Sequence, residues 1–184
     1  MNQNLKSLLK TLEKSRQEYW NIPRETGIFL NCLILTQNFK SVLEIGSSTG
    51  YSALWMAEAL SHTKGHLTTI ESHKKVRHKL AQENFAKSGL SKQITLIMGH
   101  APEDLPKSSK KLDMVFLDAT KNEHPSYFQA LKSRVKKGGL IITDNFLSHR
   151  KELSPYLQML KKEKGWISAE LKIGSGLLIS QKIS

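Results

Sequence analysis

Val42-Leu43-Glu44-Ile45-Gly46-Ser47-Ser48-Thr49-Gly50-Tyr51-Ser52 is the stretch on which the fold turns. A short apolar run stops at a glycine, a second glycine follows four residues on, and a helical pattern opens at Tyr51. That order reads as a strand, a tight turn and a helix. Glycines in such a turn let the backbone approach a ligand closely, and the helix start offers unpaired N–H groups. The spacing is G-x-x-x-G. Neither the dinucleotide fingerprint G-x-G-x-x-G nor the phosphate loop G-x-x-x-x-G-K-[ST] is present, which argues against an NAD enzyme and an NTPase. Glu71 closes the next apolar run, 21 residues after Gly50, where a carboxylate can accept bonds from both hydroxyls of a ribose.

Strand and helix signals alternate on either side of this stretch. Strands are expected at Ser41–Ile45, Leu67–Ile70, Ile94–Met98, Leu112–Leu117 and Leu140–Thr143. Helices are expected at Tyr51–Leu60, at His73–Ser88 closed by Gly89, at Pro125–Val135 ended by Gly138-Gly139, and at Pro155–Lys162. Ile167–Ile173 and Leu177–Ser180 flank Gly174-Ser175-Gly176 and predict a terminal antiparallel hairpin. Short apolar strands alternating with helices give an α/β three-layer sandwich around a mostly parallel sheet. Before it, residues 3–20 carry Leu5, Leu8, Leu9 and Leu12 at helical spacing, an amphipathic helix (1–22) appended to one domain (1–184) and docking on it or on a second subunit. Thr26–Gln37 reads as a second helix, apolar nearly all round, which predicts a buried, inert Cys32.

Two acidic signatures stand at the ends of expected strands: Asp118-Ala119-Thr120-Lys121 after Leu117, and Asp144-Asn145 after Thr143. The chain has four aspartates in all, so two of them at one edge of a sheet is a concentration. In an open α/β sheet that edge is where ligands bind. Two carboxylates and an amide oxygen suit a hard divalent cation, and Lys121 would stand beside it as a base. The other ionisable candidates are weaker. His62, His66, His73, His78, His124 and His149 lack a paired spacing such as H-E-x-x-H, and no zinc site is expected.

Composition bounds the rest. Apolar residues make up 39% and charged residues 24% of 184, which fits one soluble domain with a core. No apolar run approaches the roughly 20 residues that span a bilayer, no secretory pattern opens the chain, and one cysteine suits a reducing compartment, so a cytoplasmic protein without membrane contact is expected. The net charge of +12 admits a polyanionic partner, although the basic residues are spread along the chain and a solvated surface explains most of them.

Taken together, Glu44-Ile45-Gly46-x-x-x-Gly50-Tyr51-Ser52, Glu71, Asp118-x-x-Lys121 and Asp144-Asn145 resemble the metal-dependent S-adenosylmethionine O-methyltransferases of the catechol and caffeoyl-CoA type, over about residues 23 to 182. The resemblance implies a Rossmann-like class I methyltransferase sheet of seven strands, often in a homodimer. It implies that Glu44, Gly46 and Ser52 border the methionine part of S-adenosyl-L-methionine, that Gly50, Tyr51 and Asp118 also bind this cofactor, that Glu71 holds its ribose, and that Gly99-His100-Ala101 borders its adenine. It further implies Mg²⁺ or another divalent cation on Asp118, Asp144 and Asn145, and catalysis by Lys121. The chain departs from the pattern at Ile28, where relatives often carry Gln, and at His100, where bacterial relatives commonly carry Asp. It is also shorter than most relatives at the N-terminus and after Asp144-Asn145. Catechol enzymes carry an acidic anchor near Gly174-Ser175-Gly176, where this chain has Lys172 and Ser175.

Three functional readings follow. The first is O-methylation of a small hydroxylated aromatic with adjacent oxygens. The second is the same chemistry on 5-hydroxyuridine of tRNA, bound through the basic surface, as in some bacterial members of this type. The third, of another class, is a non-catalytic RNA-binding module that keeps the cofactor pocket. The signature of amino-group methyltransferases and the catalytic cysteine of base C-methyltransferases are both missing, which leaves oxygen as the acceptor atom.

Overall fold

The computed structural model describes residues 1–73 and 76–184. Its helices and strands alternate as α1 (Gln3–Lys14), α2 (Arg16–Tyr19), α3 (Arg24–Gln37), β1 (Ser41–Ile45), α4 (Tyr51–Thr63), β2 (His66–Glu71), α5 (Arg77–Ser88), β3 (Ile94–Met98), β4 (Leu112–Leu117), α6 (His124–Leu131), β5 (Val135–Thr143), α7 (Ser154–Lys162), β6 (Trp166–Leu171) and β7 (Leu177–Lys182). One seven-stranded sheet forms in the order β3-β2-β1-β4-β5-β7-β6. Strands β1 to β5 run parallel, and β7 pairs antiparallel with both β5 and β6.

Period-two alternation divides the strand residues between two faces. Val42, Met114, Phe116, Leu140 and Ile142 pack under α1, α3, α4 and α5, while Leu43, Ile45, Val115, Leu117 and Ile141 pack under α6 and α7. Strands covered on both sides must be apolar throughout, which is why β1 and β4 read as near-continuous hydrophobic runs. The three-layer α/β sandwich and its terminal hairpin are as the sequence predicts.

Several local expectations need correction. The helix expected to reach Val135 stops at Leu131, and Val135 instead begins β5 opposite Leu112. Gly138-Gly139 therefore lies inside a strand. The register slips between Leu112 and Met114, and Gly138 takes a φ of 80° there, so the glycines absorb a bulge that a helix-end reading mistook for a cap. The helix expected from His73 begins at Arg77; Lys74 and Lys75 lie outside the described residues. Cys32 is exposed, not buried. Only one stripe of α3, through Thr26, Gly27, Leu30 and Ile34, faces the core, and Cys32 shares the outer face with Ile28 and Leu35.

The first helix is no loose appendage. Leu5, Leu9 and Leu12 are buried in the same cluster as α4 and α5, Asn2 caps the helix by accepting from Leu5 N at 2.8 Å, and Tyr51 donates to Glu13 Oε1 at 2.8 Å. Ser15 separates this helix from the short α2, where a single helix over residues 3–20 was expected. Among the described residues no helix is long and apolar enough to cross a membrane.

Candidate functional site

The strand order reverses between β1 and β4, and the carboxyl ends of β1, β2, β3 and β4 open there onto a cavity of about 510 Å³. Its floor is the turn after β1. Gly46 has a φ of 96°, and a Cβ there would collide with the Asp118 carbonyl, so this backbone passes β4 at a distance that only glycine permits. Gly46, Ser47, Ser48 and Ser52 line one wall, Glu71 and Ser72 the next, and Gly99, His100 and Ala101 a third.

Of the residues assigned to a cofactor by resemblance, Gly46, Ser52, Glu71, Gly99, His100, Ala101 and Asp118 border this cavity. Glu71 accepts from Ser48 N at 2.6 Å and from His73 N at 2.8 Å, which fixes both carboxylate oxygens at the rim. Glu44, Gly50 and Tyr51 lie behind the wall. Glu44 is fully buried and accepts from Ser52 Oγ and Thr69 Oγ1, both at 2.5 Å; burial pushes its carboxyl up to about 8. Its place is to orient Ser52. Gly50 packs against Phe85, and Tyr51 points to α1.

The acidic signatures meet through the β4–β5 ladder. Leu117 pairs with Thr143, so Asp118 and Asp144 leave the sheet side by side; Asp144 N donates to Leu117 O at 3.0 Å. Asp144 is 1% exposed, and its Oδ1 has no hydrogen-bond partner. Burial and the neighbouring Asp118 charge push the Asp144 carboxyl up to about 7; burial also raises Asp118, against the pull of Lys121. Two desolvated carboxylates that repel one another, one with an orphaned oxygen, are the arrangement a cation relieves. Asn145 follows directly in the chain. It holds a left-handed φ of 60° and borders both the cavity and an adjoining recess of about 310 Å³ that Asp144 lines. Among the described residues no three His, Cys, Asp or Glu side chains gather to hold a metal, so an ion here would rest on two carboxylates and this amide. The donor set fits a hard divalent cation.

Lys121 Nζ stands 3.1 Å from Asp118 Oδ1, with both side chains mostly buried. The turn that carries it is tied down by His124, whose Nδ1 donates to Thr120 O at 3.1 Å. Burial lowers that imidazole to about 4, so it stays neutral. Glu123, on the same turn, reaches across to His100 Nε2 at 3.1 Å and accepts from Tyr127, joining the Gly99–Ala101 wall to the Lys121 wall.

The sequence reading missed the N-terminal contribution. Tyr19, Trp20, Asn21 and Ile22 line the cavity, pinned from both sides: Ser48 Oγ donates to Tyr19 O at 2.6 Å, and Thr49 Oγ1 donates to Asn21 Oδ1 at 2.8 Å. No local pattern marks these residues as a site, because a long-range fold-back places them there. His149, one helical turn past Asn145, also borders the cavity. Its spacing from Asn145 was the available signal.

Comparison with known proteins gives a family and a fold. A family model described as O-methyltransferase covers residues 1–172. A catechol O-methyltransferase of Niastella koreensis is 32% identical over 161 residues, 83% of this chain and 72% of the relative. A tapetum-specific methyltransferase of Arabidopsis thaliana is 28% identical over 203 residues, 96% of this chain and 86% of the relative. Other curated relatives are longer, and the chain spans 55% of a Populus kitakamiensis caffeoyl-CoA O-methyltransferase. The SAH-bound methyltransferase of Podospora anserina has the same fold, with a TM-score of 0.90 over 100% of this chain and 89% of its own at 20% identity.

Proposed function

The chain belongs to the O-methyltransferase family, and from that premise we propose that it methylates a hydroxyl oxygen flanked by a second oxygen, using S-adenosyl-L-methionine and a divalent cation. The observation that carries the metal half of this reading is the orphaned Asp144 Oδ1 beside the Asp118 carboxylate. S-adenosyl-L-methionine supplies an electrophilic methyl group for in-line displacement. Glu71 would take the ribose hydroxyls, the Gly99–Ala101 wall the adenine, and Gly46 with Ser52 the methionine portion. Asp118, Asp144 and Asn145 would hold the cation, which supplies positive charge to a hydroxyl as it ionises.

Lys121 is the proposed proton acceptor at the acceptor oxygen. A proton acceptor must present its nitrogen lone pair to the hydroxyl, whereas Lys121 Nζ here lies 3.1 Å from Asp118 Oδ1. The Asp118–Lys121 contact is therefore the part of the site that must rearrange when ligands bind. The wall from Tyr19 to Ile22 would exclude water from the reacting oxygen. A small hydroxylated aromatic is the acceptor class we infer. A tRNA nucleoside is the second reading, favoured by the net charge of +12.

The test is metal removal. Excess EDTA should abolish methyl transfer to catechol, added Mg²⁺ should restore it, and S-adenosylhomocysteine binding measured by calorimetry should persist throughout. Undiminished turnover in EDTA would remove the cation from the mechanism.

A further inference from the structure

Ser48 touches the carboxylate at the cavity rim with its backbone and the N-terminal wall with its side chain. Its N–H donates to Glu71 Oε2 at 2.6 Å, and its Oγ donates to Tyr19 O at 2.6 Å. The residue stands at a φ of 47°, in the left-handed region that disfavours every side chain but glycine's hydrogen. Strain of that kind persists only where neighbouring contacts hold it. Here φ is the angle between the peptide plane that carries the N–H and the Cα that carries the hydroxyl. Both hydrogen bonds therefore form together only near this value.

The wall itself is lightly packed. All four residues of α2 are at least partly exposed, and Trp20 after them is 73% open. A segment with so little buried apolar surface belongs to the low-stability end of a fold. Polar ties hold it instead. From the glycine turn, Ser48 Oγ reaches Tyr19 O, and Thr49 Oγ1 reaches Asn21 Oδ1 at 2.8 Å. The two ties lead to different places. Ser48 continues through its own N–H to Glu71, whose other oxygen accepts from His73 N at 2.8 Å. Thr49 continues to α5, where Asn84 Nδ2 donates to Thr49 O at 2.9 Å.

Resting on the assignment of S-adenosyl-L-methionine to this cavity, we propose that Ser48 is a positioning residue that couples the cofactor's ribose to closure of the Tyr19–Ile22 wall. A ribose on Glu71 immobilises the carboxylate and, through it, the Ser48 N–H. The left-handed φ is then held, and the hydroxyl stays on Tyr19 O. Once the ribose leaves, φ relaxes toward the ordinary negative range and the hydroxyl swings off the wall. Ser48 is thus a two-state element that both sides bias. The wall borders the main cavity and the recess beside Asp144 and Asn145, so both spaces are sealed from water only while cofactor is bound.

The experiment measures hydrogen exchange over residues 15–22 with and without saturating S-adenosylhomocysteine, whose affinity is read by calorimetry in parallel. In the wild type, binding should slow exchange there by about fivefold or more, the low end of site-to-site couplings. Ser48→Gly keeps the left-handed turn and the N–H to Glu71 but has no hydroxyl. It should lose the slowing, and by reciprocity its S-adenosylhomocysteine affinity should fall by the same factor. Thr49→Val removes the other tie and serves as the comparison. Its exchange should rise alike in free and bound protein, with the slowing on binding kept. A Ser48 that only tethers the wall would behave as Thr49→Val does, and that result overturns the coupling. Wild-type protein that binds S-adenosylhomocysteine with no change in exchange over 15–22 overturns it too, whatever the variants do. Failure of the wild type to bind S-adenosylhomocysteine at all would remove the cofactor assignment, and the coupling with it.

Discussion

Glu44 is a fully buried carboxyl group, held by two hydroxyls and pushed up to about 8. The folded protein therefore keeps a proton that the unfolded chain gives up near 4.5, its ordinary value. With the folded value raised, this group's stabilisation is complete below about 4.5 and is lost as pH climbs through about 8. Glu44→Gln, whose amide can keep both hydroxyl contacts, should remove that slope. Denaturation midpoints from pH 5 to pH 9 would show the variant gaining on the wild type as pH rises; parallel curves would mean that Glu44 titrates normally. Lys121 makes the other residue-scale prediction. Lys121→Ala should lower kcat by about a hundredfold or more, the usual scale of a lost general base, with little change in S-adenosylhomocysteine affinity. An unchanged kcat would hand the proton to another group. The sequence singled out both as candidates, Glu44 inside the expected strand Ser41–Ile45 and Lys121 three residues past Asp118. That Glu44 stands behind Ser52 was not legible, because burial depth is set by what packs against a strand and not by its sequence.

At the scale of elements, the N-terminal helix couples fold to site. Its leucines at positions 5, 9 and 12 are buried with α4 and α5, and the chain leaving it carries Tyr19 to Ile22 into the cavity wall. Leu9→Ala should cost about 2–5 kcal/mol of stability, as other buried leucine truncations do, read from urea midpoints. A cost below about 0.5 kcal/mol would mean that the helix docks only loosely. The amphipathic spacing gave the helix and its buried stripe, but not the break at Ser15 or the destination of the residues after it. Those depend on Ser48 and Thr49, nearly thirty residues away in the chain. The same limit explains β5. Gly138-Gly139 looks like a helix stop when read locally, and only pairing of Val135 with Leu112 reveals a bulged strand.

For the molecule as a whole, the net charge of +12 has to be set against where the charges stand. Lys110 and Lys111 precede β4, and Lys136 and Lys137 sit at the start of β5, so all four mark the amino edge of the sheet. The cavity opens at the carboxyl edge, a strand of five or six residues away, or roughly 17–20 Å. The paired charges shrink the effective surface further: Lys136 binds Asp113 at 2.6 Å and Lys132 binds Glu163 at 3.0 Å. A sequence total of charge cannot register which edge each lysine reaches, because strand direction decides it, while Arg77, Lys121 and Arg16 stand at the cavity and its adjoining recess. The basic edge should bind RNA weakly, without sequence preference and without involving the site. In a filter-binding or anisotropy titration, affinity for bulk tRNA should fall linearly in log salt. Replacing Lys110 and Lys137 with Gln should flatten that slope while leaving the KM for catechol unchanged. If saturating S-adenosylhomocysteine or a Trp20→Ala change altered tRNA affinity instead, RNA would be entering the cavity, and the tRNA nucleoside would become the leading acceptor.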